Sequence, residues 1–260
     1  MAETLIHPSA VIAPGAEIGQ GVHIGPFCVV GARARLGDRV ALKSHVVIEG
    51  DTAIGEDTVV YPFASIGHDP QDLKFDGEHT RLEIGARNRI REYVTMQPGT
   101  KGGGGLTRVG DDGLFMANCH VAHDCRIGNN VILVNSVAVA GHCIVEDEVI
   151  VGGLSGIHQF VRLGRGAMIG ALSMVTADVV PYGLVQGPRA HLDGLNLVGL
   201  KRRGASRAEI AELRIALARL HGASFRDTAR EMATSAQGPM VQEMLDFILG
   251  PSDRSFLKPL

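Results

Sequence analysis

A six-residue repeat of aliphatic side chains limits what this 260-residue chain can fold into more than any other feature. Every sixth position at its start is aliphatic: Ile6, Ile12, Ile18, Ile24, Val30, Leu36, Leu42, Ile48, Ile54, Val60 and Ile66. The residue four places after each of them is usually small, as at Ala10 and Cys28. An α-helix repeats about every 3.6 residues and a strand about every 2. Neither period produces this pattern, which is a hexapeptide repeat.

The repeat predicts a prism of short strands. Six residues suit one strand and one turn, three such units close a triangular coil, and coils stack at about 4.8 Å, the spacing of strands in a sheet. We expect the aliphatic residue to point inward, the small residue to fill the space beside it, and a glycine or polar residue to make the bend. The pattern resembles the left-handed parallel β-helix of the hexapeptide-repeat transferases. The left hand comes from that resemblance, because ordinary crossover connections are right-handed.

Two interruptions of the register predict loops that leave the prism, near residues 68–83 and 97–108. Long loops carry function more often than packing. The first contains Gln71-Asp72-Leu73-Lys74, whose donors and acceptors suit a sugar. The second contains four consecutive glycines, Gly102 to Gly105, without the Gly-Lys-Ser/Thr and following helix of a phosphate-binding turn. We interpret the glycines as a flexible loop.

The repeat ends before Pro181, and the remaining pattern is helical. Ser206-Arg207-Ala208-Glu209 reads as a capping box that opens a helix ended by Gly222. Two more helices are predicted over residues 224–234 and 239–249. The predicted architecture is therefore mainly β: a left-handed parallel β-helix over residues 1–188, followed by a small C-terminal α-helical domain over residues 189–260.

Composition excludes several classes of protein. A formal net charge of -3 argues against a general nucleic-acid binder. No apolar run approaches the length of a membrane span, and the first residues lack the features of a signal peptide, so we expect a cytoplasmic protein without an integral membrane segment. The four cysteines all fall on the small interior position of the repeat, which predicts reduced core thiols rather than metal ligands.

The candidate site follows from the stacking of coils, which places residues eighteen apart on the same face. His123, His142 and His158 fall on or near one face, and Gly141 lies eighteen residues after His123. A general base beside a free backbone N–H is an arrangement that acyl transfer uses, since the N–H supports the oxyanion of the tetrahedral intermediate. Asp124 is placed to orient the His123 imidazole.

Two other interpretations of the histidines stay open at this point. Histidine is common in turns, so the three rings could be surface decoration on a structural or binding module. His123, His142 and His158 are also plausible zinc ligands. One observation argues against a metal site: the three histidines lie in separate coils along one face, and no two of them are close in sequence.

Four motifs carry a resemblance to a known family: His120-Val121-Ala122-His123-Asp124-Cys125, Asp72-Leu73-Lys74, Ile157-His158-Gln159-Phe160 and Gly199-Leu200-Lys201-Arg202-Arg203-Gly204. With them the chain resembles the UDP-N-acetylglucosamine O-acyltransferases, which catalyse the first step of lipid A synthesis. The resemblance implies a homotrimer with active sites between neighbouring prisms. It also implies transfer of an (R)-3-hydroxyacyl group from acyl carrier protein to the glucosamine 3-position. The acyl group would arrive on the carrier's phosphopantetheine, with no cofactor or metal bound by the enzyme itself.

By the same resemblance, His123 is the general base, Asp124 its partner, and Gly141 the source of the oxyanion N–H. The substrate-binding residues that it implies are Gln71, Asp72, Lys74, His120, His142, His158, Gln159, Arg189, Asn196, Arg202 and Arg203. Ala171 matches the position that closes the end of the hydrocarbon groove and so sets the length of the acyl chain.

Three positions depart from the family pattern. Gln97-Pro98 stands where His-Arg is frequent, Arg189 where His is frequent, and Val198 where an acidic residue is frequent. They leave open whether the acceptor is a 3-hydroxyl or a 3-amino group. Two rival enzymes share the prism: a sister N-acyltransferase, which usually has a domain ahead of the repeat, and a trimeric zinc enzyme of the carbonic anhydrase type.

Overall fold

A computed structural model describes residues 3–220 and 224–258, and in these residues the chain winds into a prism walled by three sheets. The first sheet contains Leu5–Ile6, His23–Ile24, Ala41–Leu42, Val59–Val60, Arg89–Ile90, Leu114–Phe115, Ile132–Leu133, Ile150–Val151, Met168–Ile169, Gly183–Gln186 and His191–Leu195. The second contains Val11–Ile12, Val29–Val30, Val47–Ile48, Ser65–Ile66, Thr95–Met96, His120–Val121, Ala138–Val139, Gly156–Ile157 and Met174–Val175. The third contains Glu17–Ile18, Arg35–Leu36, Asp51–Ile54, Arg81–Ile84, Leu106–Val109, Arg126–Ile127, Ile144–Val145 and Arg162–Leu163.

Up to the strand Gly183–Gln186, neighbouring strands within each sheet are parallel and belong to successive coils. Ile6 lies opposite Ile24, and Val121 opposite Val139, eighteen residues further on in both cases. The second residue of most two-residue strands points inward and is buried, as the hexapeptide repeat predicts. All four cysteines are free and buried inside the prism, as predicted.

The corners of the prism differ from the expectation that glycine or a polar residue makes each bend. Phe27, Phe63 and Leu154 occupy corners, with φ of 59°, 64° and 60°. The glycine that follows a strand serves another purpose. A Cβ on Gly37 would lie 2.8 Å from the Glu56 nitrogen, so glycine is required by the close approach of the next coil. The expectation about the bend was therefore wrong for these corners.

Both predicted loops leave the prism without disturbing its register. Val59 pairs with Arg89 across the first loop, and Thr95 pairs with His120 across the second. The strands after the loops, Arg81–Ile84 and Leu106–Val109, begin before the aliphatic repeat resumes. The glycine run lies in a loop, as predicted, and part of it has regular structure. Lys101–Gly103 forms a 3₁₀ turn that packs on the prism.

The C-terminal part begins with a strand. His191–Leu195 pairs antiparallel with Gly183–Gln186, so the first sheet extends past residue 188. Four helices follow in the described residues: α1 (Leu197–Arg202), α2 (Arg207–Leu220), α3 (Phe225–Met232) and α4 (Pro239–Leu249).

The capping box of α2 is formed as predicted. The Ser206 N–H donates to the Glu209 carboxylate, and the Glu209 N–H donates to the Ser206 hydroxyl. The predicted stop at Gly222 lies outside the described residues. The sequence did not predict α1. Across the described ranges, no helix has both the length and the apolar character needed to span a bilayer.

Candidate active site

His123 and Asp124 form a hydrogen-bonded pair at the corner between the second and third sheets. The strand His120–Val121 delivers His123 to the corner, and Asp124 turns the chain with φ of 60°. The His123 Nδ1 lies 2.8 Å from the Asp124 Oδ2. An ionised carboxylate only accepts hydrogen bonds, so Nδ1 carries the ring proton and Nε2 keeps a free lone pair. That tautomer is the one a general base needs.

The second loop encloses the Asp124 carboxylate, whose side chain is only 1% exposed. The Thr100 N–H donates to Oδ1 at 2.8 Å, and the Thr100 hydroxyl donates to Oδ2 at 2.6 Å. The Asp124 N–H donates to the Thr107 hydroxyl oxygen at 2.7 Å. Both oxygens of the buried carboxylate are thus satisfied, as a buried charge requires.

Gly141 lies against the ring of His123, one coil further along the prism. A Cβ at Gly141 would lie 2.6 Å from the His123 Cε1 and 2.7 Å from Nε2, so any side chain would displace the ring. The Gly141 N–H has no hydrogen-bond acceptor within the described part of the chain. A free N–H beside the basic nitrogen fits the predicted oxyanion donor.

Two further histidines surround the pair. His142 stacks on Phe160 with ring centroids 4.4 Å apart, and its Nε2 lies 3.8 Å from the Asp124 Oδ2. Burial lowers the pKa of His142. The negative charge of Asp124 acts in the opposite direction but is the smaller effect. Burial also lowers the pKa of His120, and the neighbouring His123 imidazole lowers it further. Both rings therefore favour the neutral form, which leaves them able to donate and accept hydrogen bonds.

A cavity of about 480 Å³ opens on the second sheet in front of the His123 ring. Its lining residues combine polar groups with small and apolar ones: Gln71, Gln97, His120, Ala122, His123, Ala138, Ala140, Gly141, Gly156, Ile157, His158, Gln159 and Met174. Six of the predicted site residues are among them: Gln71, His120, His123, Gly141, His158 and Gln159. The cavity therefore offers both polar and apolar contacts to a ligand.

Comparison with known proteins decides the family. A sequence profile described as UDP N-acetylglucosamine O-acyltransferase, domain 2, matches residues 178–257, and one described as bacterial transferase hexapeptide, six repeats, matches residues 2–32. The acyl-(acyl-carrier-protein)–UDP-N-acetylglucosamine O-acyltransferase of Paracoccus denitrificans (strain Pd 1222) is 81% identical over 259 residues, covering 100% of this chain and 99% of the relative. This chain belongs to the UDP-N-acetylglucosamine O-acyltransferase family.

Solved structures of this family have the same fold. The crystal structure of a UDP-N-acetylglucosamine acyltransferase superposes with a TM-score of 0.94 at 43% identity, covering 98% of this chain and 99% of that chain. The UDP-N-acetylglucosamine O-acyltransferase of Moraxella catarrhalis RH4 gives 0.93 at 41% identity, covering 97% and 99%. The left-handed β-helix with a C-terminal helical part is confirmed, and the chain is an acyltransferase.

The first loop of this acyltransferase is held at the cavity by Gln97, which stands at one of the three positions that depart from the family pattern. The Gln71 N–H donates to the Gln97 Oε1 at 3.0 Å, and the Gln97 amide donates to the Asp69 carbonyl at 3.3 Å. Asp72 and Lys74 lie outside the cavity lining but close enough for their charges to act on His142. Gln97 therefore fixes the loop that carries the predicted sugar contacts.

Three of the predicted tail residues, Asn196, Arg202 and Arg203, do not line the cavity, whereas Arg189 forms a β-bridge with Met174, which does. Asn196 caps α1 by accepting from the Gly199 N–H, and its amide donates to the Gly166 carbonyl. Arg203 pairs with Glu148 at 3.3 Å. Arg202 and Arg189 are exposed. Their predicted substrate contacts stay predictions, and Val198, exposed at 60% on α1, is not among the residues that line the cavity.

Ala171 lies on the outside of the prism, at the corner between the first and second sheets. Its side chain is exposed, as is that of its neighbour Leu172. Met174, on the strand that follows, lines the cavity. An interior packing role for Ala171 is therefore excluded, while its role in setting chain length stays a prediction.

Sequence reasoning missed several residues of the site. Thr100 and Thr107 bind Asp124 from the second loop and the strand after it. Arg254 reaches back from the tail, donating to the Gln159 carbonyl at 2.8 Å and lying 3.0 Å from the His158 Nδ1. No period relates these positions to the dyad. The only signal was the break in the repeat that introduces the second loop.

The zinc alternative named His123, His142 and His158, and the described residues do not bring these three together. In the described residues, His123, Asp124 and His142 each place a candidate ligand atom within 4.8 Å of the others, and His158 is not in the group. Both Asp124 oxygens already accept hydrogen bonds from Thr100 and His123. A cation there would have to displace these donors. The relatives are acyltransferases, and none of the proteins compared above is a carbonic anhydrase.

Proposed function

We propose that this acyltransferase moves an (R)-3-hydroxyacyl group from acyl carrier protein to the 3-hydroxyl of the glucosamine ring of UDP-N-acetylglucosamine. The observation that carries the proposal is the His123 ring, fixed by Asp124 at Nδ1 and facing the cavity beside the Gly141 N–H. The name of the Paracoccus denitrificans relative, an O-acyltransferase acting with acyl carrier protein and UDP-N-acetylglucosamine, supports both substrates.

The proposed reaction uses His123 twice. Its Nε2 takes the proton of the acceptor hydroxyl as the oxygen attacks the thioester carbonyl, and the Asp124 carboxylate stabilises the imidazolium that forms. The Gly141 N–H donates to the oxyanion of the tetrahedral intermediate. Collapse of the intermediate breaks the carbon–sulfur bond, the phosphopantetheine thiolate takes the proton back from His123, and the sugar ester remains.

The two sides of the cavity suit the two substrates. Ala138, Ala140 and Met174 offer an apolar surface on the second sheet, which suits the hydrocarbon chain. His120 and Gln71 present polar groups on the side of the loops, which suits the hydroxyls of a sugar. Specificity for the acceptor would then be decided at the loops and specificity for the donor on the sheet.

An acyl-transfer assay tests the proposal. UDP-N-acetylglucosamine and its 3-amino analogue are offered with a panel of 3-hydroxyacyl carrier protein thioesters. We expect an ester product, with His123→Ala slower by about 10²- to 10⁴-fold, the usual value of a positioned base. His7→Ala, an exposed histidine at the N-terminal end of the prism, is the control and should keep full activity. A preference for the 3-amino sugar would show that the acceptor is an amine and not a hydroxyl. A folded His123→Ala variant with the wild-type rate would refute the assignment of His123 as the general base.

A homotrimer is part of the proposal. Leu154 and Leu172 are 66% and 63% exposed on consecutive coils, and Met174 beside the cavity is 50% exposed. Contiguous exposed apolar side chains of this kind mark interfaces. The mass in solution, measured by light scattering, should be three times that of the 27.5 kDa chain. Leu154→Lys should lower it, and a wild-type monomer would contradict the proposal.

A cytoplasmic location goes with this function. The four cysteines are all free and buried, as expected for a protein of a reducing compartment. Fractionation of cells that produce the protein would show it in the compartment that contains acyl carrier protein.

A further inference from the structure

The 3₁₀ turn of the second loop, Lys101–Gly103, lies directly over the Asp124 carboxylate. Thr100 precedes the turn and supplies two of the hydrogen bonds that the carboxylate accepts, one to each oxygen. The turn is itself closed by the Gly103 N–H, which donates to the Thr100 carbonyl at 3.0 Å. Thr100 is 4% exposed, so this contact is sealed from solvent.

Gly103 makes the close approach of the turn possible. A Cβ added there would overlap the carboxylate of Asp124, whereas a Cβ on its neighbour Gly102 would meet nothing closer than the Thr100 hydroxyl at 3.9 Å. Neither Gly102 nor Gly103 has a positive φ. Glycine at 103 is thus required by the space that Asp124 occupies and not by the backbone conformation.

Asp124 has more than one imidazole within reach. Its Oδ2 bonds the His123 Nδ1 at 2.8 Å and lies 3.8 Å from the His142 Nε2. With the Thr100 hydroxyl and the Gly103 backbone in place, the carboxylate is held toward His123. Which nitrogen of a histidine carries the proton depends on the partner of the other nitrogen, so the position of the carboxylate decides whether His123 can act as a base.

We propose that Thr100 and Gly103 are positioning residues for the acyl transfer, which hold the Asp124 carboxylate on the Nδ1 of His123 and so keep Nε2 unprotonated. This rests on the proposed function of His123 as the base. Thr100 and Gly103 then act on the rate of the chemical step, and not on the binding of either substrate.

The first test compares the kcat of Gly103→Ala with that of Gly102→Ala, because the two variants add the same methyl group to adjacent residues of one turn. We expect Gly103→Ala to lower kcat by about 10²- to 10⁴-fold, the range seen when a base is lost or held in the wrong tautomer. KM for the nucleotide sugar should stay within about twofold. Gly102→Ala should keep the kcat of the wild type. Equal rates for the two variants would overturn the proposal.

Thr100→Val and Thr100→Ser separate the hydroxyl from the shape of the side chain. Valine keeps the branched shape and the backbone N–H but leaves a buried carboxylate oxygen short of a donor. We expect Thr100→Val to lower kcat by about tenfold or more, while Thr100→Ser retains the hydroxyl and restores most of the rate. A Thr100→Val enzyme as fast as the serine variant would show that the hydroxyl has no role.

Nitrogen NMR of the His123 ring gives a readout that does not depend on activity. The wild type and Gly102→Ala should show the proton on Nδ1, and Gly103→Ala should show a population with the proton on Nε2. If the wild type failed to transfer an acyl group from any donor, the proposed function would fail, while the tautomer measurement would still test the positioning. An unchanged tautomer in folded Gly103→Ala would refute the positioning and leave the function intact.

Discussion

The proposed chemistry of His123 depends on a residue that is almost fully buried. Asp124 has a side chain exposed by 1%, and its carboxylate is satisfied by the Thr100 N–H, the Thr100 hydroxyl and the His123 Nδ1. Its φ of 60° is shared by corner residues far from the site, such as Arg39 and Phe63. The unusual backbone of Asp124 is therefore a property of the prism, and its function comes from its hydrogen bonds.

Ala171 gives a prediction at the same scale. Its side chain is exposed, so Ala171→Met adds volume outside the prism without unfolding the coil. If Ala171 closes the hydrocarbon groove, Ala171→Gly should move the preferred acyl chain longer by roughly one or two methylenes and Ala171→Met should move it shorter. Rates with a series of carrier thioesters measure the shift, with Ala208→Met on the exposed face of α2 as control. A folded Ala171→Met enzyme with unchanged chain preference would contradict the role.

The part of the dyad's surroundings that could be worked out from the sequence pattern is the part that obeys the period. His123 and Gly141 are related by the eighteen residues of one coil, so their proximity follows from the repeat. Thr100 lies on a loop whose path no period describes, and its contact with Asp124 needed coordinates. Arg254 is further from the dyad in sequence, and the fold of the tail alone brings it to His158.

Among the elements, α1 is the one that the sequence did not reveal. It has six residues, including Gly199, which disfavours a helix, and so short a helix is not stable alone. Tertiary contacts supply the stability that the isolated helix lacks. Asn196 caps the helix through its Oδ1 and anchors it to the prism by donating to the Gly166 carbonyl. Gly199 fits because a larger residue would collide with the Asn196 side chain.

The two arginines at the end of α1 should behave differently. Arg202 is exposed and free to meet an acidic carrier protein, whereas Arg203 pairs with Glu148 and lies over the Tyr182 ring. We expect Arg202→Glu to raise KM for acyl carrier protein, and high salt to do the same in the wild type. Arg203→Glu should instead lower stability by placing a like charge beside Glu148.

The control for charge is Arg214→Glu on the exposed face of α2, which makes the same change elsewhere. Steady-state kinetics with varied carrier concentration separates the three variants. A carrier KM that stays flat in Arg202→Glu and in high salt would show that the exposed arginine serves another purpose.

At the scale of the whole molecule, a buried ion pair joins the end of the prism to the helical part. The Arg162 Nε donates to the Asp178 Oδ2 at 2.8 Å, and the Ser252 hydroxyl donates to the same oxygen at 2.7 Å. The Arg162 Nη1 donates to the Phe247 carbonyl of α4, and its guanidinium lies over the Phe247 ring. The last coil of the prism, α4 and the C-terminal segment are therefore joined around Arg162 and Asp178.

Replacing Arg162 should lower the free energy of unfolding, because it holds the prism to the helical part. Arg162→Met leaves the fully buried Asp178 without its cation, which typically costs about 3–5 kcal/mol. Arg230→Met removes the cation of an exposed pair with Asp227 and should cost under about 1 kcal/mol. Denaturant unfolding of the two variants measures the difference. Equal losses would mean that the buried pair contributes no more than a surface one.

The loops that leave the prism have a consequence for how such enzymes diversify. Val59 stays opposite Arg89 and Thr95 opposite His120, whatever length of chain runs between them. An added residue inside a coil would turn inward side chains outward along the whole strand, but the same residue in a loop would leave every strand pairing unchanged. Lineages can therefore lengthen, shorten or rewrite the first loop without disturbing any strand pairing, whereas the second loop has to keep the Thr100 and Gly103 contacts that hold Asp124.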